Sequence, residues 1–237
     1  MRIMTTTSAP TARDRARAEL TEEIKAVARR HLAEHGSGAL SLRAVAREVG
    51  MVSSAVYRYF PSRDDLLTAL IIDAYNAVGA AAEQALVAPR RRGVVPRWLG
   101  VSQAIRAWAL AHPHEYALIY GSPVPGYAAP QDTIDPASRV AFTLLQIVVD
   151  GVASGEIAAD NDAVTPRTVH ADFAQLSATA APGVPDAVLS RALLAWSQLF
   201  GSISLEMFGH LHNVIHDYDA YFTVQMRRGA EFLVTGR

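Results

Sequence analysis

Residues 41–66 read Ser-Leu-Arg-Ala-Val-Ala-Arg-Glu-Val-Gly-Met-Val-Ser-Ser-Ala-Val-Tyr-Arg-Tyr-Phe-Pro-Ser-Arg-Asp-Asp-Leu. Leu42, Val45, Ala46 and Val49 recur at i, i+3, i+4 and i+7, which makes one apolar helical face. Gly50 falls where a left-handed helix cap is cheapest. Ser53 is placed to cap the next helix. That helix turns Val56 and Phe60 inward, Val52 packs where it begins, and Pro61 stops it. Ser53, Ser54, Ala55, Tyr57, Arg58 and Tyr59 remain on the outer face, all small, hydroxylated or basic. Two short helices joined by a tight turn, with such a surface on the second, predict a helix-turn-helix suited to a DNA major groove.

Outward from this motif, the chain reads as all-α. Residues 1–12 are expected to form a disordered tail. A helix over about 13–34 carries the stripe Leu20, Ile24, Val27, Ala28 and Leu32, and Ser41 caps the helix that follows it. With these, residues 13–66 form the helix-turn-helix domain and 67–237 a larger helical body. Ser62 and the acidic pair Asp64-Asp65 open a long helix that crosses into that body. Further helices are expected near 96–111, 114–119, 137–154, 167–178, 186–211 and 217–234. The stretch 121–136, with four prolines and two glycines, is a loop or arm. Asp160-Asn161-Asp162 lacks the spacing and terminal Glu of a calcium loop and reads as turn chemistry.

Charge divides along the same line. The net charge is −1, yet residues 1–63 hold eleven Lys and Arg against six Asp and Glu, and the remainder is acidic. A basic module on an acidic body fits a polyanion-binding end. There is no cysteine, which excludes disulfides, thiolate chemistry and Cys-based zinc sites. The N-terminus lacks the apolar core of a signal peptide. No run of about 18 uninterrupted apolar residues marks a membrane span. A cytoplasmic protein that makes no membrane contact is the expectation.

The predicted helix 186–211 is apolar over a broad face, and Gly201, Ser202 and Ser204 would let another helix approach closely. It is either a central core helix or part of a subunit interface. In the second case Leu189, Leu193, Trp196, Phe200, Ile203 and Met207, with Phe222 and Met226 of the last helix, would build a four-helix homodimer contact.

Val56-Tyr57-Arg58-Tyr59-Phe60-Pro61-Ser62-Arg63-Asp64-Asp65-Leu66, preceded by Ser41-Leu42-Arg43-Ala44-Val45-Ala46, resembles the TetR family of bacterial transcriptional repressors. Farther on, Trp108, His112-Pro113, Gly121 to Tyr127, Trp196 and Gly209-His210 look like the ligand-domain subgroup named for Trp-His-Gly motifs. The resemblance implies a homodimer that binds a palindromic double-stranded DNA operator and leaves it when a small-molecule effector enters the body. By position in the motif, Ser41 and Arg43 would meet phosphates, and Arg43 could also reach a base. Ser53, Ser54 and Ala55 would face the groove floor. Tyr57, Tyr59 and Arg63 would clamp the DNA backbone, and Arg58 is the one long basic side chain on the reading helix.

A mostly apolar effector cavity is expected, lined by Trp108, Tyr120, Phe142, Gln146, His170 and Phe173. The competing readings are a DNA-binding regulator without ligand gating, an activator, or an enzyme built on the histidines. Against the enzyme, His210 and His212 are two apart and point to different helix faces. His112 and His114 flank a helix-breaking proline. No nucleophile elbow, phosphate-binding glycine loop or dinucleotide fingerprint is present, and no cofactor or metal is implied.

Overall fold

The computed structural model describes residues 11–87, 93–158 and 166–236. Among them are ten α-helices and no strand, as expected of an all-α chain. They are α1 Ala12–His35, α2 Leu42–Glu48, α3 Ser53–Val56, α4 Arg63–Leu86, α5 Val94–Ala111, α6 Pro113–Tyr120, α7 Ile134–Ala153, α8 Arg167–Thr179, α9 Asp186–Met207 and α10 Tyr218–Thr235. Residues 1–10 of the expected tail and the Asp160-Asn161-Asp162 turn lie outside the described residues. Thr11 and Ala12, assigned to that tail, begin α1 instead.

The described residues fall into two compact units. The first runs up to Ile71 and includes Ser122–Ala129. Thr11 opens α1 with a reciprocal capping box: its hydroxyl accepts from the Asp14 N–H at 3.2 Å, and the Asp14 carboxylate accepts from the Thr11 N–H at 3.1 Å. The Thr11 hydroxyl, which also donates to the Asp14 carboxylate at 2.7 Å, and then the Thr11 N–H hold the Asp14 carboxyl below its ordinary range. Ile24, Val27, Ala28 and Leu32 of α1 meet Leu42, Val45 and Ala46 of α2 and Val56 of α3 in one buried core. Gly50, at φ 77°, ends α2: Met51 N–H donates to the Ala46 carbonyl at 2.8 Å and Gly50 N–H to the Arg47 carbonyl at 3.2 Å. That double closure is a Schellman motif, which glycine forms without strain. Ser62 then starts α4, accepting from the Asp65 N–H at 3.1 Å.

Two sequence expectations fail here. The N-cap of α3 is Val52, and Ser53 already lies inside the helix. Val52 is 71% exposed rather than packed. The turn at Gly50 closes within two residues, so the chain enters α3 one position before its best capping side chain.

Residues 122–129 supply a buried Val124, and the Tyr127 hydroxyl shares a 2.8 Å hydrogen bond with Thr68 of α4. Helix α4 continues past Ile71, where this unit ends.

The second unit comprises Ile72–Gly121 and Pro130–Arg237. Here α10 packs on α9 and α5, α5 also meets α7 and α9, and α8 lies on α9. Trp98, Ile105, Ile147, Leu189, Leu199, Ile203 and Phe222 are fully enclosed. Three arginines tie helices of this unit through ion pairs. Arg106 of α5 donates through Nε and Nη2 to both Glu206 oxygens of α9 at 2.7 Å, and through Nη1 to Asp219 of α10 at 2.6 Å. Arg139 of α7 grips both Glu83 oxygens of α4 at 2.8 and 2.7 Å. Arg97 of α5 meets Asp150 of α7 at 2.7 Å. Bidentate forks of this kind fix geometry as well as charge. A Cβ at Gly151 of α7 would come within 2.6 Å of Val94 and 2.7 Å of Ile157, so any larger residue there would force these buried side chains to shift.

Helix α9 stops at Met207, four residues short of the expected 211. Gly209, at φ 76°, closes it with the same double bond pattern: His210 N–H to the Leu205 carbonyl and Gly209 N–H to that of Glu206. By length and composition alone, Arg63–Leu86, Gln131–Ala153 and Asp186–Met207 are long and apolar enough to cross a membrane. In α4 and α9 those apolar positions are the ones that fill the cores, among them Leu66, Leu70, Val78, Val188, Leu199 and Ile203.

Candidate DNA-binding surface and effector cavity

The outer face of α2 and α3 carries the residues expected there. Ser41 is the N-cap of α2, and its hydroxyl makes no capping bond. Arg43, Ser53, Ser54, Tyr57 and Arg58 are exposed, while Ser41, Ala55, Tyr59 and Arg63 are half-buried. Val56 and Phe60, on the opposite side of the same turn, are buried and anchor α3. Arg63 pairs with Asp64 at 3.1 Å at the start of α4.

The structure adds a brace that the motif did not announce. Arg17 of α1 donates to the Arg58 carbonyl at 3.0 Å, and its guanidinium sits 5.2 Å from the Tyr59 ring centre. A cation over an aromatic face is attracted by the ring quadrupole. On the other side, Arg30 and His31 of α1 reach the two Glu48 oxygens of α2 at 2.7 and 2.8 Å. These bonds, that of Arg30 first, hold the Glu48 carboxyl below its ordinary range. The basic repeat Arg13, Arg15, Arg17 was the signal, but nothing in its spacing distinguished a brace from a solvated face.

The body contains the second candidate site. A cavity of about 180 Å³ is lined by side chains of α5, α7, α8 and α9, with Trp98, Leu144, Val148, Leu176, Leu189 and Trp196 prominent. A second, of about 410 Å³, is lined by Tyr75, Tyr120, Val140, Trp196, Phe200 and Ser204 among others. Of the six residues expected to line a cavity, Tyr120 does so.

The others go elsewhere. Phe142 is 55% exposed, and Gln146 is exposed and bonded to Asp150 at 2.7 Å. The cavity face of α7 is the neighbouring one, Ala141, Leu144, Leu145 and Val148. His170 is exposed and pairs with Asp186. Trp108 and Phe173 are buried core, and Trp108 stacks on His112 at 5.3 Å. Trp98, nearly three turns earlier on α5, borders the cavity where Trp108 was expected.

The expected interface residues also divide. Leu189, Ile203, Phe222 and Met226 are buried inside the body, so their side chains are not presented to a partner. Leu193 and Trp196 are exposed, and Phe200 and Met207 half-buried, with Leu194, Leu205 and Phe208 exposed beside them. Helix α9 is thus core on one side and open on the other, and both sides are apolar, which sequence periodicity could not separate.

A helix-turn-helix on a three-helix core, carried by a larger helical body with an apolar cavity, defines a DNA-binding regulator. The sequence comparisons agree. The profile for bacterial regulatory proteins of the tetR family matches residues 24–70, and that described as tetracyclin repressor-like, C-terminal domain, matches 98–228. The HTH-type transcriptional regulator Rv1816 of Mycobacterium tuberculosis H37Rv is 39% identical over 218 residues, covering 90% of this chain and 91% of the relative. The crystal structure of a candidate regulatory protein, SCO4313, superposes with a TM-score of 0.74 at 35% identity, covering 92% of this chain and 98% of that one. RolR, solved in complex with resorcinol, shares the fold at 15% identity and a TM-score of 0.52, over 92% of this chain and 95% of its own. The chain belongs to the TetR family of transcriptional regulators. That family regulates transcription and is not one of enzymes, which leaves His112, His114, His210, His212 and His216 without a catalytic part.

Proposed function

We propose that the protein is a repressor that binds a palindromic DNA operator as a homodimer and releases it when a small, mostly apolar effector enters the body. The observation that carries the effector is the cavity beneath Trp196, walled by Trp98, Leu144 and Leu189. Ligand sites are concave and largely apolar in this way. RolR, with resorcinol bound, supports the reading that this fold accommodates a small molecule. The Trp108, His112-Pro113 and Gly209-His210 motifs support placing the body in the Trp-His-Gly subgroup.

On the DNA side, Ser41, Arg43, Tyr57, Tyr59 and Arg63 hold phosphates, while Ser53, Ser54, Ala55 and Arg58 face the bases. The open face of α9, with Leu193, Leu194, Trp196, Leu205 and Phe208, forms the interface between two copies. Two reading helices then meet successive major grooves about 34–36 Å apart. Effector binding displaces α4 and spoils that spacing. Such a protein works in the bacterial cytoplasm, where the DNA is.

Selection of genomic fragments by the purified protein tests this directly. A single enriched palindrome, a sedimenting species of twice the 25.5 kDa chain mass and loss of the DNA complex on effector addition are expected. A monomer that enriches no palindrome overturns the reading.

A further inference from the structure

The two body cavities adjoin: Ala141 of α7 and Trp196 of α9 line both. Their walls differ in chemistry. Around the smaller, every side chain is aliphatic or tryptophan. Around the larger, Tyr75, Tyr120 and Ser204 bring three hydroxyls. Neither is lined by Lys, Arg, His, Asp or Glu.

The hydrogen bonds of these polar groups are informative. Tyr75 donates to the Ile119 carbonyl at 3.2 Å, and Ser204 shares a 2.8 Å bond with Tyr116. The Tyr120 hydroxyl takes part in neither bond, and its ring rests against those of Tyr75, Tyr116 and Phe200. Burial raises its pKa, so it remains a phenol and a donor at any physiological pH. The half-buried Tyr120 hydroxyl on the wall of the larger cavity is thus a donor fit to meet an acceptor on a guest.

We propose that the effector is an uncharged amphiphile, with an apolar chain or ring in the Trp98 cavity and a hydroxyl or carbonyl oxygen bonded to Tyr120 in the adjoining one. This rests on the ligand-gated reading above and adds the effector's chemistry to it. A carboxylate or ammonium would lose its hydration against walls that offer no opposite charge, a penalty that a neutral oxygen largely escapes. Ala141, with a single methyl where the cavities adjoin, leaves room for a molecule that occupies both.

The test uses the full-length protein near neutral pH and five probes of equal chain length: n-decane, 1-decanol, 2-decanone, decanoate and decylammonium. Binding is read by tryptophan fluorescence and thermal shift, and release from the selected palindrome is followed in parallel. Decanol and decanone should bind at least about tenfold more tightly than either ion. Tyr120→Phe should weaken decanol about three- to tenfold and leave decane unchanged. Ala141→Leu should abolish binding of all five while DNA affinity persists. The ranking of probes on the unaltered protein stands by itself should a variant fail to fold.

Either ion binding as tightly as decanol, no probe binding at all, or Tyr120→Phe leaving decanol affinity unaltered overturns the inference. Binding in the expected order without release of DNA supports this site chemistry and refutes gating instead.

Discussion

The guanidinium of Arg17 lies 5.2 Å above the ring of Tyr59, and it also holds the backbone carbonyl of the preceding residue, Arg58, at 3.0 Å. One side chain of α1 therefore fixes both the end of the reading helix and a tyrosine that follows it. Removing it should disturb DNA binding through position rather than through a base contact. Arg17→Ala should weaken operator affinity about three- to tenfold while the selected palindrome stays the same, since a cation–π contact at a half-exposed site is worth about 0.5–1 kcal/mol and the hydrogen bond a similar amount. A gel-shift titration with repeated selection measures both. A changed consensus would assign Arg17 to base reading instead.

Binding should weaken steeply with salt. If each subunit neutralises three or four phosphates, the log–log slope should be about −5 to −7. Arg43→Ala removes one contact per subunit and should make the slope about two units shallower for the dimer. Ser54 and Ala55 substitutions should alter sequence preference and leave the slope as it is. Fluorescence anisotropy across a salt series separates the two behaviours.

Loss of Arg106 should be costly for the body. Its fork satisfies both oxygens of Glu206, a carboxylate whose side chain is 12% exposed. Arg106→Met strands that charge and should cost about 2–4 kcal/mol, below the full penalty for a deeply buried pair. Glu206→Gln in the same background should recover part of the loss. Urea unfolding of the three proteins checks the order.

Gly151→Ala should destabilise the body by about 1–3 kcal/mol, because the added carbon meets the Val94 and Ile157 side chains at 2.6 and 2.7 Å, and both are buried in the core where a shift disturbs their neighbours. Gly229→Ala is the control: its nearest neighbour is the amide end of Gln198, which can move. Thermal melts should rank Gly151→Ala well below Gly229→Ala.

Stability should fall on the alkaline side from about pH 10. Burial raises the pKa values of both Tyr116 and Tyr120 above the ordinary 10.0. The folded protein then keeps protons that the unfolded chain releases, so their contribution is full below pH 10 and lost as pH rises beyond it. On the acid side the Arg139 fork lowers the Glu83 pKa, so that pair stabilises above pH 4.5 and fades as pH falls below it. Melting temperatures across the alkaline range should decline less steeply for Tyr120→Phe than for the parent.

Residues 41–66 made the first unit legible because their local signals agree: the apolar face of α2, Gly50, the inward Val56 and Phe60, and Ser62 all act within a few positions of themselves. The offset at Val52 arose where two local signals competed and the Gly50 closure won over the Ser53 cap. The long helices of the body were found within a few residues for the same reason. Their neighbours were not. Whether Phe142 or Ala141 faces inward depends on which helices α7 packs against, and a helix apolar on several sides gives no unique answer. Trp98 and Trp108 show the same limit, since both are buried on α5 and only the position of α7 and α9 decides which one borders a cavity. Arg17 was illegible because its partners lie about forty residues on, and a lone arginine carries no mark of a long-range role.

Helix α3 is a single helical turn, held to the first unit by Val56 and Phe60 while Ser53, Ser54, Tyr57 and Arg58 stand free of the core. Too short to persist alone in water, it takes its shape from those two anchors and from the Arg17 brace. The residues proposed to face the bases, Ser53, Ser54 and Arg58, and the residues that fold the domain are therefore separate sets on one turn. Exposed substitutions away from such anchors shift stability by about half a kcal/mol or less. If those exposed positions read the operator as proposed, a lineage can rewrite which one it recognises while the scaffold beneath passes from one specificity to the next intact.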